Sequence, residues 1–408
     1  MRPTHFFPFF AALSVFACGG AQQGGDDPAT APATGTQGLH AQEWGTYTSV
    51  QGSDGVMLGG VHHEDEVLPA WVHRRNWTDH NNYYFEELPE EPLQQLETPV
   101  IYFWSDEARS LRVEVGFPEG VVGQWYPEAA TFAPAIDACT EVAGGTMAWD
   151  VHLDPSIEPS TFSPVEPTEI WAPSRQVAST PLSVTTPSDV EEREQFIFYR
   201  GLGKFVAPIR ATATDDDRIH VQNESPDEVR AAFVLRVTGD HGQIVPLGAV
   251  AAGQTLDAAV PGATLPLAGY VADAQTVLRG ALEESGLSPE VAKAMVDTWT
   301  RSWFQNAGLR VLYLAPRAWT DGWLPTRITP APESYVRTLV GRIETLSPAD
   351  ERALVGTLRD HASTQAPLDP ATLGRFAEPR LRRAFESLGE PGERAFAQST
   401  IDAAHALP

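Results

Sequence analysis

Five of the eleven histidines fall between residues 40 and 80, interleaved with acids: His40 and Glu43 in "HAQEWGTYTSVQGSDG", His62, His63, Glu64 and Asp65 in "GGVHHEDEVLP", then His73 and His80. Imidazole nitrogen and carboxylate oxygen are ligands that zinc, manganese and iron accept. An ion held by His40, by His62 or His63, and by His73 or His80, with Glu43 or Glu64 as base toward a bound water, would make a metal-dependent hydrolase. Spacing weighs against it. On a strand the adjacent His62 and His63 point to opposite faces, and His-His-Glu-Asp lacks the His-Glu-x-x-His arrangement that puts two imidazoles on one helical face. The default for such a stretch is a solvated acidic loop, with no cofactor; a divalent zinc, manganese or iron ion is the alternative.

Other chemistry is sparse. The chain contains no Gly-x-Ser-x-Gly elbow, no Walker-type phosphate loop and no Cys-x-x-Cys. The glycine pair of "YRGLGKF" reads as a tight turn between strands. "TDDDR" at 214–218 lacks the glycine and distal glutamate of a calcium loop and reads as a polar turn. Trp319 and Trp323 in "PRAWTDGWLP" are flanked by Pro, Asp and Gly, which predicts a loop, and indoles on a loop can take a sugar ring. This gives a second alternative, a surface carbohydrate-binding protein.

The formal net charge of -26 and a pI near 4.7 exclude a nucleic-acid partner, because phosphate contacts need clustered cations. Lys204 and Lys293 are the only lysines, so arginine supplies nearly all positive charge.

The first residues, "MRPTHFFPFFAALSVFACGG", place Arg2 before an apolar run ending at Phe16, with small Ala17 before Cys18. That is the layout of an export signal over residues 1–17. Val15-Phe16-Ala17-Cys18 resembles the lipobox of bacterial lipoproteins. The resemblance implies acylation of Cys18, cleavage before it, and, since no Asp follows the Cys, delivery to the outer membrane. Residues 18–37, rich in Gly, Ala, Pro, Thr and Gln, read as a flexible tether. With Cys18 acylated, Cys139 has no partner for an internal disulfide and reads as a buried thiol.

The folded body divides by period. From 38 to 265 short runs of β-branched and aromatic residues alternate with turn residues. "ETPVIYFWSDEARSLRVEVGF" reads as a hairpin, and Met147, Trp149, Val151 and Leu153 share one strand face. From 266 to 408 the period becomes mainly helical. Ser288-Pro289-Glu290 starts a helix whose Val291, Met295, Trp299 and Trp303 form one stripe. "GLRVLYLAP" and "YVRTLVGRIETL" are strands returning to the β body, and the final forty residues are short helices broken at Pro379 and Pro391. The expected class is α+β, a β-sandwich-like N-terminal part with a helical C-terminal part packed on it.

"EWGTYTSVQGSDG", "ETPVIYFW", "FIFYRGLGKF" and "SWFQNAGLRVLYLAPRAW" resemble segments of a group of secreted bacterial proteins that share a Glu-Trp-Gly-Thr-aromatic-Thr opening. The resemblance brings no activity and no catalytic residue. The functional expectation is therefore a lipid-anchored cell-envelope protein whose exposed body binds or scaffolds, meeting the membrane through its lipid and an envelope glycan or protein through its body.

Overall fold

The computed structural model describes residues 36–61, 67–75, 94–134 and 142–407. Strands come first: β1 (Thr36–Gln51), β2 (Met57–Leu58), β3 (His73–Arg74), β4 (Gln94–Ser105), β5 (Arg109–Phe117), β6 (Gly120–Tyr126), β7 (Thr131–Ala133) and β8 (Gly145–Leu153). Then follow β9 (Leu182–Thr185), β10 (Glu191–Glu194), β11 (Ile197–Gly203), β12 (Ile209–Ala213), β13 (Arg218–Asn223), β14 (Val229–Thr238), β15 (His241–Val250), β16 (Thr255–Ala259) and β17 (Leu265–Pro266). The last third holds α1 (Leu267–Glu284), α2 (Pro289–Thr300), β18 (Gly308–Leu314), α3 (Arg317–Trp323), β19 (Thr326–Thr329) and β20 (Pro332–Thr345). It closes with α4 (Pro348–Thr364), α5 (Ala377–Phe385) and α6 (Pro391–His405).

The class is α+β, with strands in three sheets and the helices in the C-terminal part. The main sheet runs β17-β15-β14-β18-β20-β1-β4-β11-β6-β3, with β2 on the end of β1. Its neighbours are antiparallel except at the centre, where β1 and β20 run parallel from His40 beside Ser334 to Gln51 beside Thr345. A second sheet, β10-β9-β8-β5-β19 with β7, and a third, β12-β13-β16, complete the β part. Residues Gly35–Pro408 form one compact unit, so the change of period near 265 is a change of element type within it, and β18 and β20 return to the middle of the main sheet.

Alternation along the central strands builds two cores, one on each face of that sheet. Leu39, Ala41 and Tyr47 of β1, Ile101 and Phe103 of β4, and Val311 and Tyr313 of β18 face the other two sheets. There they meet the inward residues of β5 and β8: Leu111, Val113 and Val115 against Met147, Trp149 and Val151. Trp44, Val100, Tyr102, Phe198 and Leu312 point the other way, onto α1 and α2. The α2 stripe Val291, Met295, Trp299 and Trp303 is wholly buried in this second core, and the two indoles stack 5.8 Å apart. A π-helical turn, Arg301–Gln305, follows α2 and carries Trp303. Helices α4, α5 and α6 pack on one another around Leu358, Leu381, Ala397 and Ile401. No helix among the described residues is long and apolar enough to cross a membrane.

Four local expectations are corrected. β4 and β5 are not a hairpin, because β4 pairs with β1 and β11 while β5 pairs with β8 and β19 in the second sheet. β4 is buried on both faces along Gln94–Phe103 and needs a partner at each edge, so the chain changes sheets at residues 106–108. Gly201 and Gly203 lie within β11 instead of in a turn. Pro379 does not break a helix but sits in the first turn of α5, where its missing N–H would have had no intrahelical acceptor. Trp319 and Trp323 belong to α3, closed by an Arg317–Asp321 ion pair of 2.7 Å, instead of to a loop.

Candidate functional site

Glu43 stands in β1 beside Arg337 in the parallel register with β20. Both side chains are sealed from solvent, with Arg337 Nε 2.7 Å from Glu43 Oε2. Tyr199 donates to Oε1 at 2.6 Å and Tyr335 donates to Oε2. Burial, reinforced by the Glu43 charge, pushes both phenols well above their ordinary range, so they remain donors. Arg337 also reaches Asp321 at 3.1 Å and the Leu324 carbonyl. A carboxylate that accepts four hydrogen bonds, the fourth from Arg337 Nη2 to Oε1 at 3.2 Å, and meets no solvent cannot take a proton from a substrate water. The assignment of Glu43 as a hydrolytic base is corrected to a buried structural anion.

The histidines do not assemble either. His40, half exposed on β1, shares its Nδ1 with Ser334 Oγ at 2.9 Å. His73 lies on β3, four strand positions across the main sheet from β1, a separation of about 19 Å at 4.8 Å per strand. The two cannot hold one ion, which corrects any site that uses both. His73 is instead clamped between Glu192, 2.8 Å from Nε2, and Glu128, 3.2 Å from Nδ1, with its ring stacked on Trp125 and Tyr126. Burial lowers its affinity for a proton, but the Glu192 hydrogen bond and the two carboxylate charges outweigh that and raise its pKa. Among the described residues no group of three or more His, Cys, Asp or Glu is placed to hold a metal ion. Cys18, His62, His63, Glu64, His80 and Cys139 lie outside the described residues.

Trp319 and Trp323 pack on the first core. The Trp319 ring is 5.0 Å from Tyr47 and its Nε1 donates to the Val206 carbonyl, while Trp323 lies 5.9 Å from Phe205. Their outer edges line a shallow depression of about 420 Å³ with Glu119 and Asp227 on its rim.

A larger cavity, about 510 Å³, lies where the strand ends of the main sheet meet the C-terminal helices. Sequence reasoning missed its residues. Arg310 of β18 and Glu344 of β20 are register partners, and Arg310 Nε lies 2.9 Å from Glu344 Oε1. The remaining donors of Arg310 reach the carbonyls of Trp303 and Asn306, tying the turn after α2 to the sheet. Arg342, wholly buried, contacts the same Glu344 oxygen through Nε and Nη2, each at 2.8 Å. Burial alone would raise Glu344; the Arg310 and Arg342 charges outweigh it and hold the carboxyl below its usual range. Arg375 pairs with Glu97, and the guanidiniums of Arg342 and Arg375 each lie over the Phe376 ring, 5.2 Å from its centroid. Arg380 and Arg236 stand on the wall together with the exposed Asp217 and Asp350. The signal was present: an arginine inside the apolar "GLRVLYL", and Arg342 and Glu344 two apart in a strand otherwise fit for a core.

No family model matches the chain and no curated protein matches it. Among solved structures it is similar to the Fcho1 Mu homology domain of Danio rerio with bound Eps15 peptide, at 7% identity and a TM-score of 0.28, covering 77% of this chain and 97% of that one. It is also similar to the yeast delta-COP-I mu-homology domain complexed with a Dsl1 WxWxV peptide, at 8% identity and a TM-score of 0.26, over 76% and 96% of the two chains. At these identities and TM-scores neither similarity carries a ligand across.

Proposed function

We propose that this chain is an exported cell-envelope lipoprotein, anchored through Cys18, whose body acts by binding a ligand. The observation that carries the binding half is the 510 Å³ cavity at the strand ends, a volume within the range of small-molecule sites and floored by arginines in a chain of net charge -26. Its polar lining combines the arginines with hydroxyls and three carboxylates, of which the buried one, Glu344, is already held by two guanidiniums and the other two, Asp217 and Asp350, are exposed. The anchoring half rests on the leader and on the Gly-, Ala-, Pro-, Thr- and Gln-rich composition of the sequence between Cys18 and the body. One acyl chain holds a protein only marginally, and the two or more of a lipoprotein N-terminus hold it stably.

Mass measurement of the N-terminal peptide from detergent-extracted protein tests the anchor. An acylated Cys18 is expected, and an unmodified chain beginning elsewhere overturns it. A second reading, glycan binding, is favoured by the depression that sets Trp319 and Trp323 beside Glu119 and Asp227. Envelope oligosaccharides should then quench tryptophan fluorescence, and Trp323→Ala should abolish that quenching; unchanged emission at saturating glycan removes this reading.

A further inference from the structure

The geometry points to the arginine-floored cavity as a binding site for a small oxyanion, a carboxylate or phosphate group on a soluble molecule, with Arg342 as its principal contact. This deepens the binding reading above and rests on it. The argument is one of charge and donor balance in two clusters on opposite faces of the same sheet.

In the first cluster Arg337 meets two carboxylates, Glu43 and Asp321, and its charge is more than matched. In the second, Arg310 and Arg342 share the single carboxylate of Glu344. The neighbouring Arg375 is already matched by Glu97. Asp217 and Asp350 also line the cavity, but both are exposed, Asp217 facing Arg236 and Asp350 capping α4 through Ser347, so among the buried side chains of the floor one positive charge is left over. A guanidinium does not relieve that by losing its proton, and an uncompensated buried charge is strongly unfavourable.

Donor balance locates the surplus. Every nitrogen of Arg310 has an acceptor: Glu344, the Trp303 carbonyl or the Asn306 carbonyl. Nη1 of Arg342 has none among the described residues, although the residue is fully buried and lines the cavity. An oxyanion seated against that N–H would neutralise the surplus and satisfy the donor in one step, since guanidinium N–H groups match carboxylate and phosphate oxygens in geometry. Arg380, whose Nη1 donates to the Leu373 carbonyl, stands on the wall and adds positive potential. The Phe376 ring lies against the Arg342 guanidinium, 5.2 Å from centroid to Cζ, and helps to hold it in place.

The test is calorimetric titration of the full chain, extracted in detergent, with inorganic phosphate and with succinate at low ionic strength, chloride serving as the control anion. Saturable binding of either probe is expected, weakened at least tenfold in Arg342→Met; which probe binds distinguishes a phosphate from a carboxylate ligand. Ala307→Trp, at an exposed position on the cavity wall, adds bulk to the space while leaving every buried charged side chain, and the Ala307 carbonyl that faces Arg310, in the chain, and should weaken binding as much. It decides the matter if Arg342→Met fails to fold. No saturable binding of phosphate or succinate beyond chloride, or binding that survives Ala307→Trp, overturns the site. Acylation of Cys18 is read on the same preparation. Acylated protein that ignores both anions overturns the oxyanion site alone, whereas unacylated protein that binds one overturns the anchor alone.

Discussion

The Glu43 carboxylate and the Arg337 guanidinium lie side by side in parallel register, 2.7 Å apart, on the two central strands of the main sheet, and neither is reached by solvent. Removing one member of such a pair strands the other in low dielectric, at a cost of about 3–5 kcal/mol. Glu43→Gln should fall near the lower end, because Arg337 keeps Asp321 and the Leu324 carbonyl. Urea unfolding of the variant against the wild type measures this. A loss below about 1 kcal/mol would mean that the carboxylate is not the structural anion its hydrogen bonds imply.

His73 gives the chain a pH-dependent contact. Its folded-state pKa is raised by Glu192 and Glu128, so the stability it contributes is complete below the unfolded value of about 6.5 and is lost as pH rises through the folded value. Among the described residues the groups facing it are those two carboxylates and the Trp125 and Tyr126 rings, and none of the four is a cation that would reverse the sign. The melting-temperature gap between wild type and His73→Gln should be widest near about pH 6 and close toward about pH 9. A gap that stays constant across that range would contradict the clamp.

What the sequence made legible was periodicity. Met147 to Leu153 show one strand face and Val291 to Trp303 one helix face because each buries a single repeating set. What it hid were contacts set by neighbours distant in the chain. Arg342 and Glu344 in "YVRTLVGRIETL" look like the solvent side of a half-buried strand, yet β20 lies at the centre of the sheet and is covered on both faces, so they meet each other and Arg310, while Arg337 on the opposite face meets Glu43. The same distance effect hid the sheet change between β4 and β5, since two adjacent strand-like runs joined by a polar turn are locally indistinguishable from a hairpin. The His-rich segment misled for the opposite reason. Closeness in sequence put His40 and His73 in one imagined site, while three intervening strands keep them apart.

Trp303 links the helical core to the cavity. Its ring stacks on Trp299 and its carbonyl accepts from Arg310. Trp303→Ala should cost about 3–5 kcal/mol through the void it leaves. Trp303→Phe should cost markedly less, because the indole Nε1 has no acceptor among the described residues and its removal relieves an unmet donor. Denaturant midpoints for the two variants provide the comparison, and equal losses would show that the indole N–H has a partner after all.

Gly201 is required by the close approach of two backbones. Its strand β11 shifts register against β6 between Arg200 and Gly201, and a Cβ at 201 would sit 2.2 Å from the Val121 carbonyl oxygen and 3.0 Å from its carbon. Those are main-chain atoms in the interior of the main sheet and cannot swing aside as a side-chain tip would. Gly201→Ala should therefore destabilise by about 3 kcal/mol or more, at or beyond the upper end for overpacking. Gly280 in α1 provides the contrast. It is exposed, and a methyl group added there would meet nothing within 4 Å, so Gly280→Ala should raise stability by up to about 1 kcal/mol through helix propensity alone. Thermal unfolding of both variants checks the pair: a Gly201→Ala protein as stable as the wild type would mean that β11 and β6 do not pack at this distance.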